Sequence, residues 1–117
     1  MALLNLEAET TIEMRVHLSH SPFELKNLTK AKRLFHLWRL DQTTNRNGIL
    51  LCINLKKKTC TIIAGEGFAG KVDPGFWPTL GRYLRTDLQS THYENAIEMV
   101  IQTIQTTFKP SFGRELN

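Results

Sequence analysis

From Ile49 to Leu55 the chain is apolar at every position except Asn54. Lys56-Lys57-Lys58 follows, and then Thr59-Cys60-Thr61-Ile62-Ile63-Ala64. So short a link cannot carry a crossover, so the two segments must lie side by side as an antiparallel hairpin. A strand with no polar alternation needs apolar cover on both faces. The chain is therefore committed to a sheet with helices above and below it, and the rest of the sequence has to supply them.

It does so in order. Thr11 to Ser19 alternates, with Ile12, Met14, Val16 and Leu18 on one face and Glu13, Arg15 and His17 on the other, which predicts a half-covered strand. Ser21-Pro22-Phe23-Glu24 has capping-box spacing with proline at the first helical position, and Asn27 is a rival start signal. Leu28, Ala31, Leu34, Phe35 and Trp38 then keep helical spacing to about Leu40. Asp41 to Gly48 is polar and aperiodic.

Beyond the hairpin, Gly65, Gly67 and Gly70 break regular structure. A short helix starts at Asp73-Pro74 or Gly75-Phe76 and runs through Leu80 and Leu84, with Pro78 tolerated in its first turn. Thr91-His92-Tyr93-Glu94 is a second capping box. Tyr93, Ala96, Ile97, Val100, Ile101, Ile104 and Phe108 trace the clearest helix, which Pro110 and Gly113 should end, leaving a frayed tail. Residues 3–9 read as the end of an amphipathic helix too short to stand alone. The strand before the hairpin is joined to it by a helix, so those two strands should be parallel with a right-handed crossover. The expectation is an α/β fold. It is a three-layer α/β/α sandwich around a small, mixed, mostly parallel sheet with one antiparallel hairpin. A single domain spans 1–117, with its core at about 11–108 and a tail at 109–117.

With 117 residues and 41% hydrophobic content, such a chain can bury one core without metals or disulfides. Cys52 should face residue 62, out of register with Cys60, so both read as core thiols rather than a disulfide. No apolar stretch is long enough to cross a bilayer, and Met1-Ala2-Leu3-Leu4-Asn5-Leu6-Glu7 lacks a basic n-region. As given, the chain is expected to be cytoplasmic; as an excised domain it would be membrane-associated or extracytoplasmic. The net charge of +4 and Lys56-Lys57-Lys58 suggest a basic patch, but no aromatic platform sits among these lysines, so no nucleic-acid partner is assigned.

Gly65-Glu66-Gly67-Phe68-Ala69-Gly70 matches G-x-G-x-x-G, and Val72 extends it to the kinase form. A dinucleotide loop must leave a first strand and open a helix, yet here it follows the second arm of a hairpin and meets Pro74. No kinase lysine, HRD or DFG motif follows. There is also no nucleophile elbow, no P-loop and no cysteine in an activating setting, so no catalytic residues are assigned. The four histidines show no metal-ligand spacing on a common element.

Several pieces carry a family resemblance. They are Ile12-Glu13-Met14-Arg15-Val16, the helix positions Ala31, Phe35 and Trp38, and Arg46-Asn47-Gly48-Ile49-Leu50-Leu51. Next come Gly65-Glu66-Gly67-Phe68 to Val72, then Phe76-Trp77, and last Phe108-Lys109-Pro110. In this order and spacing, residues 11–108 resemble the TPM domain family, also called the TPM phosphatase family, in its short bacterial type. The resemblance implies an α/β/α sandwich. It also implies a choice of functions, since plant members are associated with acid phosphatase activity and metal binding, an animal member is a receptor auxiliary protein, and many bacterial members have no known activity. Members usually carry acidic residues just before R-N-G, where this chain has Thr43-Thr44-Asn45.

Two site expectations follow. The first is a non-enzymatic interaction or ligand-binding module for a protein partner. Its ligand would sit between the Asp41–Gly48 loop and the Gly65–Asp73 loop, against Arg46, Asn47 and Glu66, with Arg46 orienting an anionic group. In the structural version of that expectation, Arg46 merely pairs with Asp41 or Glu66. The second is a weak divalent-metal-dependent acid phosphatase, with Asp41, Glu66 and Asp73 holding calcium or magnesium.

Overall fold

A computed structural model describes residues 2–21, 27–90 and 93–114. The chain folds as α1 (Ala2–Glu9), β1 (Glu13–Ser19), α2 (Asn27–Leu37), β2 (Gly48–Asn54), β3 (Thr59–Ala64), α3 (Phe76–Asp87) and α4 (Tyr93–Phe112). The sheet order is β1-β2-β3, with β1 parallel to β2 and β2 antiparallel to β3. All seven residues of β2 are buried, as its unbroken apolar run requires.

The two faces of β2 feed two cores. Ile49, Leu51 and Ile53 join Met14, Leu6 and the inner faces of α3 and α4. Leu50 and Cys52 join Ala31, Phe35 and Leu40 beneath α2. The result is the expected three-layer sandwich. Opposite faces of one strand serve different cores because successive side chains alternate across a sheet. Cys52 lies opposite Thr61 and Ile53 opposite Cys60, so the thiols are out of register, and both are buried and outside any disulfide. Burial raises the Cys60 thiol above its ordinary pKa.

The start signals resolve unevenly. Most of the Ser21–Glu24 capping box lies outside the described residues, as do Thr91 and His92 of the second one. Within α2, Asn27 donates from Nδ2 to the Cys52 carbonyl at 2.8 Å and to Thr61 Oγ1 at 3.1 Å, tying the helix to β2 and β3. α3 begins at Phe76, and Pro78 sits in its first turn, where its missing N–H costs nothing. α1 leans on α4: Glu9 accepts from Gln105 Nε2 at 2.7 Å and Lys109 Nζ at 3.2 Å.

The C-terminal end differs from expectation. α4 runs through Pro110 to Phe112, and the tail as far as Arg114 is tied down. Thr11 N–H donates to the Phe112 carbonyl at 2.8 Å, Arg114 N–H donates to the Glu9 carbonyl at 2.9 Å, and Thr10 bridges Gly113. The Phe112 ring meets Phe68 edge-on at 5.4 Å. Proline removes one helical hydrogen bond in the last turn, and these tertiary contacts outweigh that loss.

Candidate functional site

The Asp41–Gly48 loop is built around hydroxyl acceptors. Thr43 Oγ1 takes the Asn47 N–H at 3.0 Å, and Thr11 Oγ1 takes the side-chain amides of Asn45 and Asn47, each at 3.1 Å. Asn47 is 1% exposed, so its amide is a buried strut rather than a contact for a ligand. Arg46 takes the left-handed conformation, with φ 51°. Its guanidinium curls back to donate to the backbone carbonyl of Asp41. The fork therefore meets main chain, not the carboxylate of Asp41 or Glu66. The Asp41 carboxylate lies 3.0 Å from His36 Nδ1, and this hydrogen bond holds its pKa below the ordinary value.

The glycine loop docks against that loop through main chain. Gly65 N–H donates to the Gly48 carbonyl at 2.8 Å and Gly67 N–H to the Arg46 carbonyl at 2.7 Å. A Cβ at Gly65 would stand 2.4 Å from the Arg46 oxygen, and one at Gly67 would stand 2.1 Å from the Asn45 oxygen. These two glycines are required by close backbone approach. The interval expected to hold a ligand is where the two main chains touch.

The opening lies on the other side of the glycine loop. A hollow of about 490 Å³ is framed by Ile62 and Ala64 of β3, Phe68 of the loop, Trp77 of α3, and the exposed residues Glu66 and Asp73. Asp73 also borders a neighbouring, wider hollow of about 840 Å³ with Lys71, Phe76 and Thr103. The floor is stiff: Phe68 packs edge-on to Trp77 at 5.4 Å and to Phe108 at 4.6 Å, while Trp77 stacks on Phe108 at 5.7 Å.

The structure thus brings Glu66 and Asp73 to one rim and leaves Asp41 and Arg46 apart, with Asn47 buried beneath. Among the described residues no three His, Cys, Asp or Glu side chains are grouped to hold a metal ion. Two carboxylates beside an aromatic floor fall short of the six to eight oxygens that calcium takes, so these side chains do not fit a dedicated cation cage. Ile62, Ala64 and Trp77 were not among the expected site residues. The signals for them were the alternation of β3 and the adjacent Phe76-Trp77 pair.

Comparison with known proteins adds two findings. The family model for the TPM domain matches residues 1–107. Among solved structures, the chain is similar to the BA42 protein from the psychrophilic bacterium Bizionia argentinensis, solved by NMR. The TM-score is 0.84 at 24% sequence identity, over 97% of this chain and 78% of that one. No curated protein matches the chain.

Proposed function

The chain belongs to the TPM domain family, and from that premise we propose that it is a non-enzymatic interaction module whose working surface is the hollow beside the glycine loop. One observation carries this reading. The Gly65–Phe68 turn is fixed by main-chain bonds to Gly48 and Arg46, and its Glu66 borders, together with Asp73 further along the chain, a hollow with an aromatic floor. A rigid concave surface with an apolar floor and a few polar groups at its rim is suited to recognition. The Arg46-centred site does not form part of it, because that guanidinium is engaged with Asp41.

The second reading, a weak divalent-metal-dependent phosphatase, draws on the placement of Glu66 and Asp73 at one hollow. Hydrolysis of p-nitrophenyl phosphate, with and without calcium, magnesium or manganese, separates the two. The binding reading expects equal background rates for wild type and a Glu66→Ala/Asp73→Ala variant. Ion-dependent turnover that the variant loses would establish the phosphatase instead. Affinity capture with the same two proteins tests the module directly. At least one partner should be retained by wild type and released by the variant, while Arg46→Ala retains it. Identical capture by wild type and the variant would count against this surface.

A further inference from the structure

Among the described residues β3 is an edge strand, since the sheet order β1-β2-β3 places β2 alone beside it. The direction of its free backbone groups follows from one bond. Gly65 N–H donates to the Gly48 carbonyl, so 48 and 65 form a hydrogen-bonded pair of the antiparallel ladder. Pairs then alternate, and Thr59, Thr61 and Ile63 face β2 while Cys60, Ile62 and Ala64 point their N–H and C=O groups outward. The Leu55 N–H bond to the Ser19 carbonyl agrees, because it turns the odd-numbered residues of β2 toward β1. Cys60 is buried at 6% exposure, with its Sγ 3.6 Å from the Gly81 carbonyl of α3, so the edge is covered there. At Ile62 and Ala64 it is open. Among the described residues no backbone hydrogen bond outside the sheet involves either of them, and both are only partly buried.

These same two residues form the β3 wall of the hollow that Trp77, Glu66 and Asp73 complete. An exposed edge and a pocket for alternate side chains are the two components of recognition by strand addition, the edge giving affinity and the pocket specificity. Resting on the reading of this surface as a binding site, we propose that the protein binds an extended peptide as a fourth strand against Ile62–Ala64. An apolar side chain of that peptide sits over Trp77, and a lysine or arginine two residues away on the same face meets Glu66 and Asp73. The rim sets the charge preference. The chain as a whole is +4, yet among the described residues the charged side chains lining the hollow are the two carboxylates Glu66 and Asp73, and Lys71 borders the neighbouring hollow with its Nζ 5.4 Å from the Phe112 ring centroid. The i, i+2 spacing follows from the period of two along a strand.

The test uses acetyl-Lys-Thr-Leu-Thr-Lys-amide, titrated into isotope-labelled protein and followed by amide chemical shifts. The expected dissociation constant is about 0.1–1 mM, the weak end of the affinity scale for a short flexible probe. Perturbations should centre on residues 62–66, 73 and 77. Replacing both lysines by glutamate, or using the Glu66→Gln/Asp73→Asn variant, should weaken binding at least about tenfold through lost charge complementarity. Two N-methylated probes test the strand geometry, one methylated at the first, third and fifth amides and the other at the second and fourth. In an added strand alternate amides face the edge, so one probe loses binding and the other keeps it. Equal behaviour of the two methylated probes, a glutamate probe that binds as well, or no perturbation at millimolar peptide overturns strand addition. The module reading then stands or falls separately on the capture experiment.

Discussion

Gly67→Ala isolates the contact that organises the candidate site. The added Cβ would lie 2.1 Å from the Asn45 oxygen, whereas real Cβ atoms essentially never come closer than 3.0 Å. The two main chains must therefore separate by at least 0.9 Å, the difference between those distances. That movement takes the 2.7 Å bond from Gly67 N–H to the Arg46 carbonyl beyond hydrogen-bonding range. Forcing a methyl into a filled space costs about 1–3 kcal/mol, and the broken bond adds about 1 kcal/mol. The sum is about 2–4 kcal/mol. With a urea m-value of about 1.5 kcal/mol/M, the unfolding midpoint should fall by about 2 M.

Two other glycines serve as controls in the same assay. Gly70 has φ +75° and open space around it, so Gly70→Ala should cost only the left-handed penalty of about 1 kcal/mol. Gly75 has open space and an ordinary right-handed backbone, so Gly75→Ala should be neutral or stabilising by up to about 1 kcal/mol. The expected order of destabilisation is Gly67 far above Gly70, and Gly70 above Gly75. A Gly67→Ala midpoint within experimental error of wild type, or one no lower than that of Gly70→Ala, would refute the backbone-docking account of the motif.

Other expectations follow from single contacts. Asn47→Ala leaves the Asn45 amide on Thr11 but removes the buried strut, and should cost about 1–3 kcal/mol in urea unfolding. Arg46→Gly relieves a left-handed backbone and loses only an exposed hydrogen bond, so it should be neutral or slightly stabilising; a loss as large as that of Asn47→Ala would contradict these roles. The Asp41 carboxylate has a lowered pKa, so its contribution is present above its ordinary value of 3.8 and fades as pH falls through the lowered one. The stability gap between wild type and Asp41→Asn should thus be wider at pH 6 than at pH 2.5, and an unchanged gap would remove the His36 contact from the account. Cys52 and Cys60 should resist a disulfide-exchange reagent at pH 8 in the native protein, and both should react once unfolded in guanidinium; rapid native labelling of either would contradict their burial.

The hairpin was legible because its cause is local. The apolar run Ile49–Leu55 and the three-lysine link leave one arrangement of two strands, and the two-sided burial of β2 follows from it. The end of α4 was not legible, because Pro110 is a local signal and Phe112 is held by partners far along the chain, Thr11 and Phe68. The space between the two loops was not legible for the same reason. A ligand was expected between the Asp41–Gly48 loop and the Gly65–Asp73 loop, and the backbone of Asn45 and Arg46 lies directly against Gly65 and Gly67 there. Glycines mark a close approach of two main chains but do not say which segment approaches. That contact also explains why the acidic residues divide. The glycine seam stands between Asp41, which turns to His36 on α2, and the pair Glu66 and Asp73, which face the hollow by α3. A triad assembled across the seam would have to part the Gly65–Gly48 and Gly67–Arg46 bonds. The seam therefore favours a binding surface made from one side of it alone, where β3's open edge already lies.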